Sequence, residues 1–179
     1  KFASGEVIKE TITIIEGWNL RDIGFYFENK GMFQAEEVWE TAGFPAVDYA
    51  AAADLPKPVD FSQDYDFLDS KSDRVGLEGF LFPDTYFFPH NVSIEGITVT
   101  MWLRFKEVYK ELTGEEVNEE NFHKVKKINT IASIVEKEAI YPEERRIIAG
   151  IILNRLKKNL PIQSCATVEY ALGYHKPRL

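Results

Sequence analysis

Two consecutive amphipathic helices that meet at a proline constrain the fold of this chain more than any other feature. The first is predicted over about residues 119–140, and the second from Pro142 to about Asn159. Proline is suited to the first turn of a helix, where its missing N–H has no helical partner in any case. Two glutamates follow Pro142 and two lysines precede Asn159, so the charges match the helix dipole at both ends. The short connection predicts that the two helices pack against each other.

The N-terminal part of the chain has the pattern of a small strand-helix-helix unit. Residues 11–15 are all β-branched and alternate until the last position, which predicts a strand with one buried face. Asn19 is placed to cap a helix that runs to Lys30 and ends before Gly31. A second short helix is predicted over about 34–41.

The remaining sequence suggests how the chain is divided. Residues 1–53 hold the strand-helix-helix unit, and 54–76, with two prolines and many polar positions, are typical of a linker. In the rest, 77–179, the aromatic stretch 77–89 is predicted to be a strand or extended loop, and 93–112 an amphipathic helix. These patterns predict an α+β protein whose second part is mainly helical.

Composition excludes several classes of function. The 179 residues carry 29 acidic and 21 basic side chains, a net charge of −8, and 45% of them are apolar. Without a basic run, the chain has no electrostatic footprint for duplex nucleic acid. No apolar stretch is long enough to span a bilayer, and the first residues do not resemble a signal peptide. Because the chain starts without Met, we expect it to be a segment of a longer protein.

The helical pattern itself singles out Glu138 as a chemical group. We place the helix on a wheel at about 100° per residue, with Ile128 at zero. Glu138 then falls at about −80°, between Ile131 and Ile134. Glu136 falls on the polar border instead. A carboxyl group among apolar side chains is costly to ionise, so it can keep its proton near neutral pH as a general acid must.

A purely structural role explains the same pattern. Glu138 then ends a surface helix and pairs with Arg145 or Arg146 of the next helix. Because structural ion pairs are common, the pattern alone favours this interpretation over catalysis.

Other kinds of site find little support. His90, His123 and His175 do not lie beside a plausible nucleophile, and no two of them have metal-ligand spacing. Cys165 cannot form an intrachain disulfide, and no base is placed to activate it as a nucleophile. We therefore expect a thiol that is buried or merely lies near the site, without a catalytic role. We therefore expect neither a metal nor a cofactor.

Four motifs in order resemble the YceG-like family. They are LEGFLFPDTY at 77–86, IASIVEKE at 131–138, LNRL at 153–156, and the pairs QS and TV at 163–164 and 167–168. The resemblance covers nearly the whole chain, and EGW at 16–18 enters a helix as in the LysM-like module of that family. It therefore implies a partial LysM-like module over 1–53 and a YceG-like catalytic domain over 77–179.

The resemblance implies a bacterial enzyme that cuts peptidoglycan strands internally. It implies a single-pass anchor in the inner membrane, a catalytic domain on the cell-wall side, glycan strands as substrate and cell-wall synthases as partners. The family's catalytic glutamate matches Glu138, the residue that the wheel selects. The implied reaction is a lyase reaction: it cleaves the bond from N-acetylmuramic acid to N-acetylglucosamine without water and leaves a 1,6-anhydro end.

The same resemblance suggests which residues bind substrate. Those that bring hydrogen-bonding or stacking groups are Glu78, Tyr86, Asn154, Arg155, Gln163, Ser164 and Thr167. Phe80 and Phe82 are candidates for stacking on sugars, although such aromatic clusters are more often core. Cys165 and Ala166 stand where the family often has Asp-Pro.

Two other functions stay open at this point. A water-using muramidase needs a second carboxylate, such as Glu78, facing Glu138 across the scissile bond at about 5 Å or about 6.5–9.5 Å. A glycan-binding or scaffold module predicts binding that survives the loss of Glu138.

Overall fold

The computed structural model describes residues 9–45 and 76–172. Six α-helices and two strands occur in these ranges, so the α+β prediction is confirmed. A single 3-10 turn, Pro142–Glu144, precedes the fifth helix. In chain order the elements are β1 (Lys9–Thr13), α1 (Leu20–Asn29), α2 (Ala35–Ala42), β2 (Thr85–Pro89), α3 (Ile94–Thr113), α4 (Glu119–Glu138), α5 (Arg145–Lys157) and α6 (Cys165–Leu172).

β1 and β2 form a two-stranded antiparallel sheet. Ile12 lies opposite Tyr86, and both side chains are buried. The predicted strand 11–15 starts two residues too late, because pairing begins at Lys9 and ends at Thr13. Thus the N-terminal unit takes its second strand from residues 85–89, beyond the predicted linker.

Caps at both ends of α1 explain its bounds. The Asn19 side chain accepts from the backbone N–H of Asp22 at 3.1 Å, and the Asp22 carboxylate accepts from the Asn19 N–H at 3.0 Å. Beyond the helix, Gly31 adopts φ +69°, where glycine carries no steric penalty. α1 then packs on α2 through Gly24, where a Cβ would lie 2.3 Å from the Trp39 Nε1.

One continuous hydrophobic core, called the large core below, joins the N-terminal unit to the helices that follow. It is formed by buried side chains of 12–42, 77–109 and 117–125. Phe80 lies among aromatic rings of α3 and α4, stacked on Phe122 at 5.4 Å between ring centroids. The sheet, α1, α2, α3 and the first half of α4 therefore share their apolar faces.

The second half of α4 packs on α5 through a smaller group, called the α4–α5 cluster below. Its buried members are Ile134, Val135 and Ile152. This confirms that the two helices pack together, although the second starts as a 3-10 turn and its α-helical part ends at Lys157. Many apolar side chains of α5 and α6 stay exposed, including Ile147 and Val168.

Several element bounds differ from those predicted from the sequence. α4 ends at Glu138, two residues early, and the sequence patterns did not predict α6. Residues 77–89 divide into a turn followed by β2. Most of the predicted linker lies outside the described residues, and the division into a LysM-like module and a catalytic domain stays a prediction. Within the described ranges, no helix combines the length and apolar character that crossing a bilayer requires.

Candidate active site

Glu138 is the last residue of α4, and its side chain is exposed. Its Oε1 accepts a hydrogen bond from the Ser164 Oγ at 2.5 Å. Ser164 is buried and directly precedes α6, so two elements that are far apart in sequence meet at this carboxyl group. The hydroxyl fixes one carboxyl oxygen and leaves the group open to solvent.

The predicted apolar enclosure of Glu138 is wrong. Ile134 and Val135 are covered by α5, but the coverage stops before the end of α4, so Glu138 faces solvent. The alternative ion pair is not observed either. Among the residues that the structure describes, no ion pair joins Glu138 to Arg145 or Arg146.

The loop between α5 and α6 is held in place by Arg155. Its Nε donates to the Pro161 carbonyl at 2.7 Å, and its Nη2 donates to the Gln163 Oε1. Gln163 has a left-handed backbone, φ +57°, which is uncommon for a residue with a Cβ. The residue after it is Ser164. Arg155 therefore secures the loop that delivers the hydroxyl to Glu138.

Thr167 completes this group of residues. Its Oγ1 donates to the Ser164 carbonyl at 2.7 Å, one turn into α6. Four of the predicted substrate residues, Arg155, Gln163, Ser164 and Thr167, thus form one connected group that reaches Glu138 through Ser164. Asn154 lies on α5 directly before Arg155, and its side chain is exposed.

Glu78 occupies a second, more enclosed position. Its two carboxylate oxygens each lie 3.3 Å from the backbone N–H of Leu20, the first residue of α1. The side chain of Tyr170 on α6 also hydrogen-bonds it. Burial raises the pKa of Glu78 to about 7, against the opposing effect of these hydrogen bonds, and the nearby Asp22 raises it further.

The turn that carries Glu78 is docked on α4. Asn129 Nδ2 donates to the Gly79 carbonyl at 2.5 Å. Gly79 has φ +79°, and a Cβ there would lie 3.0 Å from the same Asn129 nitrogen. Only glycine allows both the backbone conformation and this close approach.

Tyr86 does not face a groove, so its prediction as a sugar-stacking residue is wrong. The ring is buried beside Phe88, and the hydroxyl donates to the Phe82 carbonyl at 2.6 Å. Burial raises the pKa of the Tyr86 hydroxyl. Its position opposite Ile12 in the sheet directs the side chain into the large core. Phe80 is core as well, whereas Phe82 is half-buried under Arg104.

Sequence reasoning missed two residues of this region. Asn129 was not singled out by any pattern, and Tyr170 lies on a helix that was not predicted. An amide directed at a glycine carbonyl 50 residues away leaves no local signal. Cys165 is exposed rather than buried, and no group of three or more acidic, His or Cys side chains in the described ranges is arranged to hold a metal ion.

Comparison with known proteins identifies the family to which this chain belongs. The family model of the YceG-like family matches residues 1–179, so the chain belongs to the YceG-like family. A crystal structure of a yceG-like protein from Listeria monocytogenes superimposes with a TM-score of 0.68 at 29% identity, covering 97% of this chain and 55% of that one.

Named relatives point to a particular kind of protein within the family. The endolytic murein transglycosylase of Bacillus subtilis is 40% identical over 111 residues, 62% of this chain and 30% of its own length. The Streptococcus pneumoniae protein of the same name is 38% identical over 100 residues, 56% of this chain and 18% of its own length. The chain thus spans less than a third of the length of these relatives.

Proposed function

We propose that this chain belongs to an endolytic lytic transglycosylase of murein, in which Glu138 is the general acid and base. The observation that carries the proposal is the exposed carboxyl group at the end of α4, held through one oxygen by the Ser164 hydroxyl. Proton transfer to a bulky glycan needs an acid that the polymer can reach. The names of the Bacillus and Streptococcus relatives support murein as the substrate.

The proposed reaction uses one carboxyl group twice. Glu138 first donates its proton to the glycosidic oxygen between N-acetylmuramic acid and N-acetylglucosamine, and that C–O bond breaks. The carboxylate then takes the proton of the muramoyl C6 hydroxyl, whose oxygen bonds to the anomeric carbon of the same sugar. The products are a free N-acetylglucosamine hydroxyl and a 1,6-anhydro end, and Glu138 regains its proton. This intramolecular attack replaces the water that a hydrolase activates.

Ser164 orients this group. Because its hydroxyl engages Oε1, Oε2 is the oxygen that we assign to proton transfer. The polar side chains of Asn154 and Thr167 lie on the helices either side of the loop, where they would contact acetamido or lactyl groups. Arg155 and Gln163 bond each other, so we assign them to holding the loop between α5 and α6 more than to contacting substrate.

The water-using alternative depends on a second carboxylate, and Glu78 is the one that sequence offered. Both of its oxygens are engaged by the Leu20 N–H, and Tyr170 binds it as well. These protein contacts argue against a free carboxylate that activates water or attacks the sugar. They favour the mechanism with a single acid and base.

The site of action follows from the proposed substrate. Murein lies outside the cytoplasmic membrane, so we place the reaction on the cell-wall side. A single-pass membrane anchor and contacts with cell-wall synthases belong to the same proposal.

The test reads the product ends. The full-length gene product is incubated with uncrosslinked glycan strands in water enriched in ¹⁸O, beside its Glu138→Gln variant, and the fragments are analysed by mass spectrometry. The proposal predicts ends lighter by one water than reducing sugars, free of ¹⁸O, and absent with the variant. Reducing ends that carry ¹⁸O would establish a muramidase, and binding without cleavage in both proteins would establish a glycan-binding module.

A further inference from the structure

Glu78 carries a half-buried carboxyl group that the proposed reaction does not use. It lies on a turn at the junction of three elements: the start of α1, the middle of α4 and the last turn of α6. Leu20 supplies the contact from α1 and Tyr170 the contact from α6, while Gly79 is bound by Asn129 of α4. A carboxylate that accepts from two separate elements holds them at a fixed distance.

The contact with α6 leads to the proposed active site. Tyr170 follows Ser164 by six residues along α6, a distance of about 9 Å at about 1.5 Å per residue. The helix that Glu78 holds near its end therefore carries at its start the hydroxyl that orients Glu138. Within the described part of the chain α6 has no buried side chain, and Val168 and Leu172 are exposed, so the contact of Tyr170 with Glu78 matters for the place of the helix.

We propose that Glu78 is a positioning residue for the proposed reaction: it fixes α6 against the start of α1 and thereby sets the place of Ser164 on Glu138. The inference rests on the proposed function, since it assigns Glu78 a part in the same site. Glu78 acts through Tyr170 and α6, and it does not contact the sugar.

The hold of Glu78 on α6 depends on pH because the Glu78 carboxyl group titrates near neutral pH. The ionised form accepts from the Leu20 N–H and the Tyr170 hydroxyl, whereas the protonated form is a weaker acceptor. The charged or titratable groups facing it are Asp22 on α1 and Tyr170 on α6. With a pKa of about 7, Glu78 makes stronger hydrogen bonds to Leu20 and Tyr170 as the pH rises through neutrality, while the burial of its charge lowers the stability of the fold.

The experiment compares Glu78→Gln with the unaltered full-length protein in the glycan cleavage assay. Glutamine resembles the protonated acid, so we expect kcat to fall about tenfold above neutral pH, with KM for the glycan unchanged. The ratio of the two rates should approach one below about pH 6 and grow through about pH 7. This ratio cancels any pH dependence that the two proteins share.

Two further variants separate positioning from general stability. Tyr170→Phe should reproduce the loss of kcat, and adding it to Glu78→Gln should cause no further loss, because both break one contact. Glu37→Gln is the matched control: Glu37 also accepts a backbone N–H at a helix start, from Gln34 at 2.7 Å, but on α2. We expect it to leave kcat unchanged.

The outcomes keep this inference separate from the proposed function. If the unaltered protein does not cleave glycan, the proposed function fails. If it cleaves and Glu78→Gln has the same kcat at every pH, or Tyr170→Phe adds its own independent loss, the positioning role is wrong. Should Glu78→Gln fail to fold, Tyr170→Phe alone decides, because this side chain is 40% exposed and its ring is retained.

Discussion

The large core and the α4–α5 cluster differ in how completely their apolar side chains are covered. In the large core, Ile12, Ile97 and Trp102 are each at most 1% exposed. The α4–α5 cluster buries only three side chains, and α5 leaves other apolar side chains exposed, with Ile147 at 67% exposure. The candidate active site lies at the second region.

This difference indicates that the large core provides the stability of the fold, while the proposed chemistry takes place at the open end of α4. A polymer substrate needs an open surface, and polar side chains beside Glu138 cannot be enclosed without losing access. The sheet, α1, α2 and α3 supply the burial that holds α4, and α4 carries the carboxyl group out of that core. The variants that follow test this division.

The largest effect is expected for a matched pair of isoleucines. Ile97→Ala should lower the free energy of unfolding by about 4 kcal/mol, because the side chain is fully buried among well-packed neighbours. Ile152→Ala should cost about 2 kcal/mol, because the α4–α5 cluster can relax toward solvent. Chemical denaturation of both variants measures the difference. Equal losses would show that the two regions are packed alike.

The next effect concerns Glu78 and pH. Its pKa is raised from 4.5 to about 7 in the folded protein, so between these values the folded state holds a proton that the unfolded state has lost. Stability is therefore lost as pH rises through about 7. Glu78→Gln removes this loss, and its stability relative to the parent should rise by about 2 kcal/mol from about pH 5 to about pH 8.

Urea denaturation at several pH values provides the measurement. A stability difference that does not change with pH would show that the carboxyl group titrates as it does in the unfolded chain. Glu37→Gln, at the exposed start of α2, serves as the control and should show no such rise.

A smaller effect is expected for the hydroxyl that holds Glu138. Ser164→Ala should lower kcat about tenfold, since a hydrogen bond to the acid is lost while the fold is kept. Ser133→Ala removes a hydroxyl on α4 that bonds only the Thr130 carbonyl and should leave kcat unchanged. The measurement is kcat for the two variants, with circular dichroism to verify that both fold. Equal kcat values would show that the Ser164 hydroxyl has no part in the reaction.

The smallest effect is local to the stable region. Asn19→Ala removes the cap of α1 and should cost about 1 kcal/mol of stability. Cleavage should be unaffected at temperatures well below unfolding. Thermal denaturation together with the cleavage rate checks both parts, and a rate that falls with the cap would show that the Glu78 contact with Leu20 does not by itself hold the start of α1 in place.

Local signals predicted much of the fold. The predicted helices from Asn19 to Lys30 and over 93–112 agree with α1 and α3 to within a residue or two, because caps act over three or four positions. The pairing of β1 with β2 could not be predicted, since it joins residues more than 70 apart. α6 was missed because it is short and has no buried face.

The candidate site shows the same limit. The motif pattern led to Glu138 and to Ser164, which does contact it, but periodicity alone predicted an apolar enclosure of Glu138 that the structure does not have. Tyr86 alternates correctly for its strand, yet nothing local tells which face of the sheet meets the core. Glu78 was selected for its motif, while its contacts with Leu20 and Tyr170 depend on tertiary packing.

The most direct test of the account compares two glutamates that stand two residues apart on α4. Glu138→Gln and Glu136→Gln are assayed for glycan cleavage in the full-length gene product, and their unfolding is recorded beside it. We predict that Glu138→Gln loses at least about 10²-fold in kcat, while Glu136→Gln keeps the parent rate, and that both unfold as the parent does. Full cleavage by Glu138→Gln would contradict the central claim that this carboxyl group is the acid and base.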